Sequence, residues 1–334
     1  MIRKIEWNGF AAVKMETAVY EALLLPEMGA NLVRLYNKVK NVDFVRTPKP
    51  EEVEHFKAHP QVYGLPLLLP PNRIEDGTYT YNGHTYHYPI TIPDQHNHHH
   101  GYIKSQPFTV TRCEEHDGKI FVEAVFFSNL FNDGVFFCFP HNFECRMAFR
   151  LTDEGLEHTV TFVNLDDMEM PLGMGYHTPI NVPFIPGGNK DDYRLRMSVG
   201  KKWILSERLL PTGELVPLEE DEDVWRLRTP EGMKPVGKTL EVHMTAEPIE
   251  VDGKPYHGAV MTDTKSGLRL FYEVDDQIKH WTFWNNRGGV DWACPEPMSW
   301  AINAPNLKLP KEVTGFTAVP PKGSWSTTCK MYVK

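Results

Sequence analysis

The chain has 334 residues, of which 41% are hydrophobic and 24% charged, a composition typical of folded globular proteins and not of disordered ones. Its formal net charge of -9, with no cluster of Lys and Arg, argues against nucleic acid as a partner. No window reaches about 18 consecutive apolar residues and the N-terminus lacks the apolar stretch of a signal peptide, so we expect a cytoplasmic protein with no membrane partner.

Most of the chain predicts strands, because short runs rich in Val, Ile, Phe, Tyr and Thr recur between turn residues. The Asn82-Gly83 pair is a strong hairpin signal, since a type I′ turn needs positive φ at both central residues. The predicted strands include 18–25, 79–81, 84–88, 119–127, 145–151, 157–164, 268–274 and 278–284, and the turn 153–155 joins two of them. This density of strands predicts an all-β protein, a large antiparallel β-sandwich or barrel formed by one domain over 1–334.

Helices are predicted to be few. Residues 50–57 carry acidic side chains in their first turn, where the helix dipole favours them, and Thr47 is a candidate start. The acidic run 219–223 lies in the middle of the chain among Leu and Trp, so we interpret it as a solvated loop or a helix start within an insertion.

The chain has five cysteines and no CxxC spacing. This pattern indicates reduced thiols that pack in the interior, rather than a disulfide framework or a structural zinc site. They are Cys113, Cys138, Cys145, Cys294 and Cys329.

The run 96–101 reads His-Asn-His-His-His-Gly. Imidazoles at alternate positions of an extended strand share a face, so this spacing predicts a common face for His96, His98 and His100, from which they could approach a metal or an anionic ligand. Alternatively, these histidines are polar residues that only support a neighbouring site.

Three further segments place polar groups at strand ends. Asn72 and Arg73 follow an apolar strand and two prolines, and the Arg either binds oxygen-rich ligands or braces the turn. His177 lies among small residues, where it is either structural or catalytic. Glu296 is held between two prolines, which can fix a carboxylate as a general base or simply support a turn.

Taken in order, these motifs resemble the aldose 1-epimerase (galactose mutarotase) family over nearly the whole chain. The matching elements are Asn72-Arg73, His100-Gly101, His177, and Glu296-Pro297 followed by Asn303-Ala304. The resemblance implies a β-sandwich of the galactose mutarotase type, with a small-molecule sugar bound in an open cleft on one sheet face.

The resemblance also implies the chemistry. Interconversion of α and β anomers removes the proton of the C1 hydroxyl and protonates the ring oxygen, so that the ring opens and recloses. By resemblance, Glu296 is the base and His177 the acid, while Arg73, His100 and Asn72 bind the sugar or orient one another. No cofactor and no metal is expected, and the protein is expected to be a monomer or a homodimer.

The sequence departs from the family pattern in two places. No Asp is in register with the family's acidic sugar-binding residue near 254–259, although Asp252 and Asp263 lie close by. The strand-end His is followed by Thr178-Pro179-Ile180 in place of an aromatic residue. These departures indicate a divergent branch of the family.

Three tryptophans precede Glu296 in the chain: Trp281, Trp284 and Trp292. We expect at least two of them to pack in the core rather than against a sugar.

Three alternatives stay open at this stage. A hexose-6-phosphate 1-epimerase would need several cations around the phosphate. A non-catalytic carbohydrate-binding protein of the same fold would not need both Glu296 and His177. A metal-dependent sugar isomerase would use the histidine run.

Overall fold

A computed structural model describes residues 1–130 and 138–334, and β-strands make up most of its regular structure. The first ten strands are β1 (Ile2–Trp7), β2 (Phe10–Glu16), β3 (Tyr20–Leu25), β4 (Asn31–Asn37), β5 (Val42–Asp43), β6 (Leu67–Leu68), β7 (Arg73–Glu75), β8 (Thr78–Tyr81), β9 (His84–His87) and β10 (Asn97–His99). The next ten described strands are β11 (Thr109–His116), β12 (Lys119–Phe127), β13 (Phe143–Thr152), β14 (Gly155–Asn164), β15 (Met170–Leu172), β16 (Gly175–Tyr176), β17 (Ile180–Asn181), β18 (Tyr193–Met197), β19 (Val199–Leu205) and β20 (Pro211–Val216).

The C-terminal third contains the remaining strands. The strands are β21 (Glu241–Ala246), β22 (Ile249–Val251), β23 (Lys254–Tyr256), β24 (Gly258–Asp263), β25 (Arg269–Val274), β26 (His280–Trp284), β27 (Trp292–Met298), β28 (Thr317–Val319) and β29 (Ser324–Val333). The α-helices of the described residues are α1 (Val53–Ala58), α2 (Glu222–Trp225) and α3 (Lys311–Thr314), and single 3₁₀ turns include Pro50–Glu52 and Leu218–Glu220. No helix in the described part of the chain has the length and apolar character needed to cross a bilayer.

Two large antiparallel sheets form the sandwich. The first sheet has the strand order β11-β12-β13-β14-β29-β25-β24-β18. The second sheet has the order β20-β19-β21-β26-β27-β16-β6, and β17 also pairs with β27. A five-stranded meander, β1 to β5, precedes them. The all-β antiparallel sandwich predicted from the sequence is therefore confirmed.

Aromatic side chains join the inner faces of the two sheets. The rings of Tyr272 in the first sheet and Trp281 in the second have centroids 6.4 Å apart, and those of His158 and Tyr176 are 5.6 Å apart. The hydroxyl of Tyr272 also lies 3.2 Å from that of Thr178. All five residues are buried, so these contacts mark the centre of the sandwich.

Alternation along the second sheet divides its side chains between the core and the opposite face. On β26, Trp281 and Phe283 are fully buried in the main hydrophobic core. His280, Thr282 and Trp284 occupy the intervening positions and so point to the other face, which we call the site face. Every functional candidate on β26 and β27 is positioned by this alternation.

The strand predictions hold with small differences at their ends. The strand 119–127 matches β12, and the 82–83 turn joins β8 to β9 with φ of 46° at Asn82 and 77° at Gly83. The strand predicted from residue 18 begins at Tyr20, because Thr17 Oγ1 accepts the backbone N–H of Tyr20 at 3.0 Å and forms a turn there.

The helix predictions are confirmed in type, but one start was wrong. Residues 50–57 form the 3₁₀ turn and α1, yet Thr47 does not cap them, because its hydroxyl donates to the Val33 carbonyl at 2.9 Å. The acidic run 219–223 is a helix start, where the Asp221 carboxylate accepts the N–H of Val224 at 3.3 Å.

Among the described residues, seven histidines are buried, and burial lowers the pKa of each, to about 4 for three of them. They are His98, His100, His141, His158, His177, His243 and His280. Two carboxyls shift the other way, since burial raises the pKa of Asp43 to about 6 and that of Glu296 well above its usual range. On balance, the unfolded chain binds more protons than the folded protein below the ordinary histidine pKa of about 6.5.

We expect the free energy of unfolding to fall as the pH is lowered from about 7 to about 5, by about 1.4 kcal/mol per pH unit for each excess proton bound by the unfolded chain. Urea unfolding monitored by tryptophan fluorescence across this range measures the slope. His158→Gln should make the slope shallower, whereas the same change at the exposed His116 should leave it unaltered. A stability that rises on acidification would contradict the expectation.

Candidate functional site

The register of the second sheet brings His177 and Glu296 together. β16 and β17 pair with β27 in one continuous antiparallel register. Continued from the Gly175–Met298 pair, this register places His177, just past the end of β16, opposite Glu296. Their side chains are 5% and 3% exposed, and His177 Nε2 lies 3.2 Å from Glu296 Oε1. Two residues distant in sequence thus form a buried acid–base pair.

Burial favours the neutral form of both members of the pair. It lowers the pKa of His177 to about 4 and raises that of Glu296 well above its usual range, where the negative charge of Glu241 adds to the rise and Arg73 opposes it. At neutral pH the pair therefore retains one proton. Transfer of this proton from the carboxyl to the imidazole across the 3.2 Å contact creates a carboxylate and an imidazolium without changing the charge of the site.

Arg73 lies at the start of β7 and bonds to three side-chain acceptors. Its Nε donates to Gln95 Oε1 at 2.8 Å, Nη1 to Asn72 Oδ1 at 3.0 Å, and Nη2 to Glu241 Oε1 at 2.9 Å. The Arg73 side chain is only 7% exposed, whereas that of Glu241 is 30% exposed. The guanidinium is thus fixed in orientation, with a partly accessible carboxylate at its side.

A second arginine supports this arrangement from outside. Arg208, in the connection between β19 and β20, donates to the Gln95 carbonyl at 2.8 Å and also pairs with Glu75 and Asp76. Gln95 in turn accepts from Arg73. A cavity of about 540 Å³ lined by Glu75, Arg208 and Asn303, among others, adjoins β7, although its lining includes neither His177 nor Glu296.

His100 lies beside the acid–base pair. Its ring and that of His177 have centroids 5.2 Å apart in an edge-on arrangement, and burial holds its pKa well below the ordinary range. Its backbone N–H donates to the Asn72 carbonyl at 2.9 Å. The next residue, Gly101, has φ of 56°, and a side chain there would collide with the Leu69 backbone. The His-Gly pair thus lets this turn pack closely against the strand end before Asn72.

The expected common face of His96, His98 and His100 was wrong. Only 97–99 is extended, since His96 and His100 have φ of 52° and 65°. His96 is exposed and bonds to Asp76 at 2.8 Å. His98 is buried, with Nδ1 2.8 Å from the Pro89 carbonyl and Nε2 accepting from Gly101 at 3.2 Å. The left-handed backbone at each end rotates the outer imidazoles away from one another.

Glu241 is the acidic site residue that the sequence did not identify. It begins β21 on the site face, paired with Trp284, and contacts Arg73. The two aspartates considered from the sequence lie elsewhere, because Asp252 pairs with Arg269 and Asp263 accepts from Ser266 in a turn. A single Glu at the start of a strand carries no local signal, so only the sheet register reveals its neighbours.

The tryptophans divide between core and site as the alternation requires. Trp281 is fully buried in the core. Trp284 lies at the site, with its ring 5.2 Å from that of His177 and 5.3 Å from that of Trp292. Trp292 is buried and also lies under the Arg46 guanidinium, 5.4 Å away. Trp284 is therefore the aromatic ring that borders the pair.

The five cysteines are free thiols, and four of them are buried as expected. Cys113 is exposed, because it lies on β11, where most side chains face solvent. Cys294 differs from the other buried thiols because it lies on the site face, two residues from Glu296 on β27. Burial raises its pKa well above the ordinary range, and the charge of Glu296 adds to this effect.

Comparison with known proteins gives a consistent result. The aldose 1-epimerase family model matches residues 13–331. A galactose mutarotase-like protein from Clostridium acetobutylicum is 37% identical, with a TM-score of 0.96 over 100% of this chain and 98% of the other.

A more distant solved structure shows the fold alone, and a curated relative matches over part of its length. A galactose 1-epimerase from Lactobacillus acidophilus is 14% identical with a TM-score of 0.71, over 100% of this chain and 98% of that one. Protein LacX of Lactococcus lactis is 23% identical over 203 residues, which are 60% of this chain and 62% of LacX, so the match spans less than two thirds of that relative.

The order of the motifs, the sandwich and the nearly full-length family match all lead to one conclusion: the chain belongs to the aldose 1-epimerase family and has the galactose mutarotase-like fold.

Proposed function

We propose that this protein interconverts the α and β anomers of an aldose by acid–base ring opening and closure, with neither cofactor nor metal. The observation that carries the proposal is the buried 3.2 Å contact between His177 and Glu296 beside a fixed arginine. Proton transfer at two oxygens of one sugar needs one acid and one base held in place, and this pair supplies both. The family membership supports the same reaction class.

In the proposed reaction Glu296, as carboxylate, takes the proton of the C1 hydroxyl while His177, as imidazolium, gives a proton to the ring oxygen. The bond between C1 and the ring oxygen breaks, and C1 becomes an aldehyde carbon. After rotation about the bond between C1 and C2, the same two groups act in reverse and close the ring on the other face. The proton exchange within the pair generates the working forms of both groups from the neutral state favoured by burial.

The sugar is held, in this proposal, by Arg73 and Glu241 as donor and acceptor for neighbouring hydroxyls, with Asn72 orienting the guanidinium and His100 forming the wall next to His177. Glu241 supplies the acidic sugar-binding group for which the sequence offered no Asp near 254–259. A phosphorylated hexose fits this site less well, because a phosphate near Arg73 would face the negative charge of Glu241.

Polarimetry of freshly dissolved α-anomers tests the proposal, and a panel of aldoses with glucose 6-phosphate included separates the sugar classes. Acceleration over buffer by the metal-free protein is the expected result. A protein that binds sugars but leaves the rate of anomer exchange unchanged would be a binding module instead.

Removal of either member of the pair should reduce turnover. Glu296→Gln and His177→Asn should each lower kcat by about 10²–10⁴-fold, the usual contribution of one positioned acid or base. Circular dichroism shows whether each variant is folded. His96→Asn is the matched control, since this exposed imidazole bonds only to the surface carboxylate of Asp76 among the described contacts, and it should keep full activity. Wild-type rates in Glu296→Gln would refute the assignment of the base.

The pH dependence of kcat/KM should be bell-shaped, because activity requires the pair to hold one proton. On the acidic side, activity falls when the pair takes up a second proton, which occurs near the His177 pKa of about 4. On the basic side, activity falls when the pair loses its one proton, which the raised pKa of Glu296 moves to higher pH. Glu241→Gln removes a negative charge that raises the Glu296 pKa, so the basic limb should move to lower pH. The exposed Glu247→Gln serves as control, and an equal shift in both variants would contradict this explanation.

Sugar recognition should depend on the Arg73–Glu241 pair. Arg73→Lys and Glu241→Gln should each lower kcat/KM by about 10–100-fold, since a hydrogen bond to a charged group is worth about 1.5–3 kcal/mol. Steady-state polarimetry measures the change, again with Glu247→Gln as control. An unaltered kcat/KM in both variants would place the sugar elsewhere.

A further inference from the structure

β27 places a thiol and a carboxylate on the site face. Cys294 and Glu296 are two residues apart on an extended strand, so they share a face, and His177 lies opposite Glu296 in the sheet. One ligand atom from each of these three residues lies within 4.8 Å of the other two, and all three residues are buried. The strand pairing has thus collected three potential metal ligands from two strand segments.

The distances suit a small divalent cation. In tetrahedral coordination at about 2.0–2.1 Å, two nitrogen or oxygen ligands lie about 3.3 Å apart. His177 Nε2 and Glu296 Oε1 are separated by 3.2 Å. An ion between these atoms therefore needs almost no movement of either group, and the Cys294 side chain completes a third position.

The chemistry of the donors identifies the class of metal. Imidazole nitrogen, thiolate sulfur and carboxylate oxygen together are ligands of Zn²⁺, which is borderline soft. The thiolate and carboxylate charges balance the charge of the ion, and binding releases two protons to solvent, the thiol proton and the proton that the His177–Glu296 pair holds. Glu296 Oε2 has no hydrogen-bond partner among residues 1–130 and 138–334, although Glu296 is only 2% exposed, so a buried acceptor is available at this point.

We propose that His177, Cys294 and Glu296 form an inhibitory Zn²⁺ site within the acid–base centre. The inhibitory part rests on the proposed function, because the ion occupies both the base and the acid and so prevents proton transfer to the sugar. Three protein ligands leave the fourth position to water. None of the three ligands belongs to the histidine run, in which His98 already uses both ring nitrogens and His96 faces solvent, although the His100 ring contacts that of His177.

The experiment uses the untagged, chelator-treated protein. Calorimetric titration with Zn²⁺ measures affinity and stoichiometry, and titration with Co²⁺ as a spectroscopic substitute reveals a thiolate-to-metal charge-transfer band that surface imidazoles do not give. Polarimetry in parallel measures mutarotation with added Zn²⁺ and after its removal by EDTA. We expect one site per chain, the charge-transfer band, and inhibition that EDTA reverses.

Cys294→Ser and Cys294→Ala are the diagnostic variants, and two are used in case one does not fold. Both should lose the cobalt charge-transfer band and should weaken Zn²⁺ binding by about 100-fold or more. Removal of a residue that only hydrogen-bonds to a metal ligand already lowers metal affinity by about 10–100-fold, and these variants remove a ligand itself. Cys113→Ser, which removes the exposed thiol, is the matched control and should retain both the band and the inhibition.

Distinct results overturn the two proposals. Absence of zinc binding, or a band and affinity that persist in both Cys294 variants, refutes the metal site whether or not the protein is a mutarotase. Zinc that binds through Cys294 but leaves mutarotation unchanged refutes its inhibitory role. Absence of mutarotation in the metal-free protein refutes the proposed function, and the inhibitory role with it, while calorimetry and the cobalt spectrum still decide the metal site.

Discussion

The antiparallel register of β16, β27, β26 and β21 is the constraint on which the rest of the structure depends. Because side chains alternate along a strand, one face of these strands supplies core residues such as Trp281, and the other supplies polar groups. The same register sets His177 opposite Glu296 and Trp284 beside Cys294. A shift by one residue would bury the carboxylate in the sandwich and expose the core, so stability and chemistry are fixed together.

Burial explains why the His177–Glu296 pair holds one proton while both side chains stay neutral. A buried histidine and a buried glutamic acid each favour the neutral form, and their 3.2 Å contact allows one proton to serve both. Arg73 and Glu241 place opposite charges beside this pair, and their influences on the Glu296 pKa oppose each other. The proposed reaction uses this balance, and the proposed zinc site follows from the same close grouping of donors.

The arginine is held by a chain of contacts that begins far from the site. Arg208 bonds to Gln95, Gln95 accepts from Arg73, and Arg73 reaches Glu241. Each contact joins segments distant in sequence, so the orientation of the guanidinium is a property of the folded sandwich. Since a planar guanidinium recognises oxygen atoms through its direction as well as its charge, this support bears directly on the sugar recognition that we propose for Arg73.

The sequence by itself determined the all-β class, the hairpin at Asn82-Gly83 and the motif order that resembles the family, because strand patterning and turn chemistry are local properties. It did not determine the directions of the histidines, since the left-handed backbone at His96 and His100 breaks the alternation expected of an extended run. Nor did it identify Glu241 or the position of Cys294 at the site. These depend on which strands pair and in which register, and long-range pairing is decided only when the whole core packs.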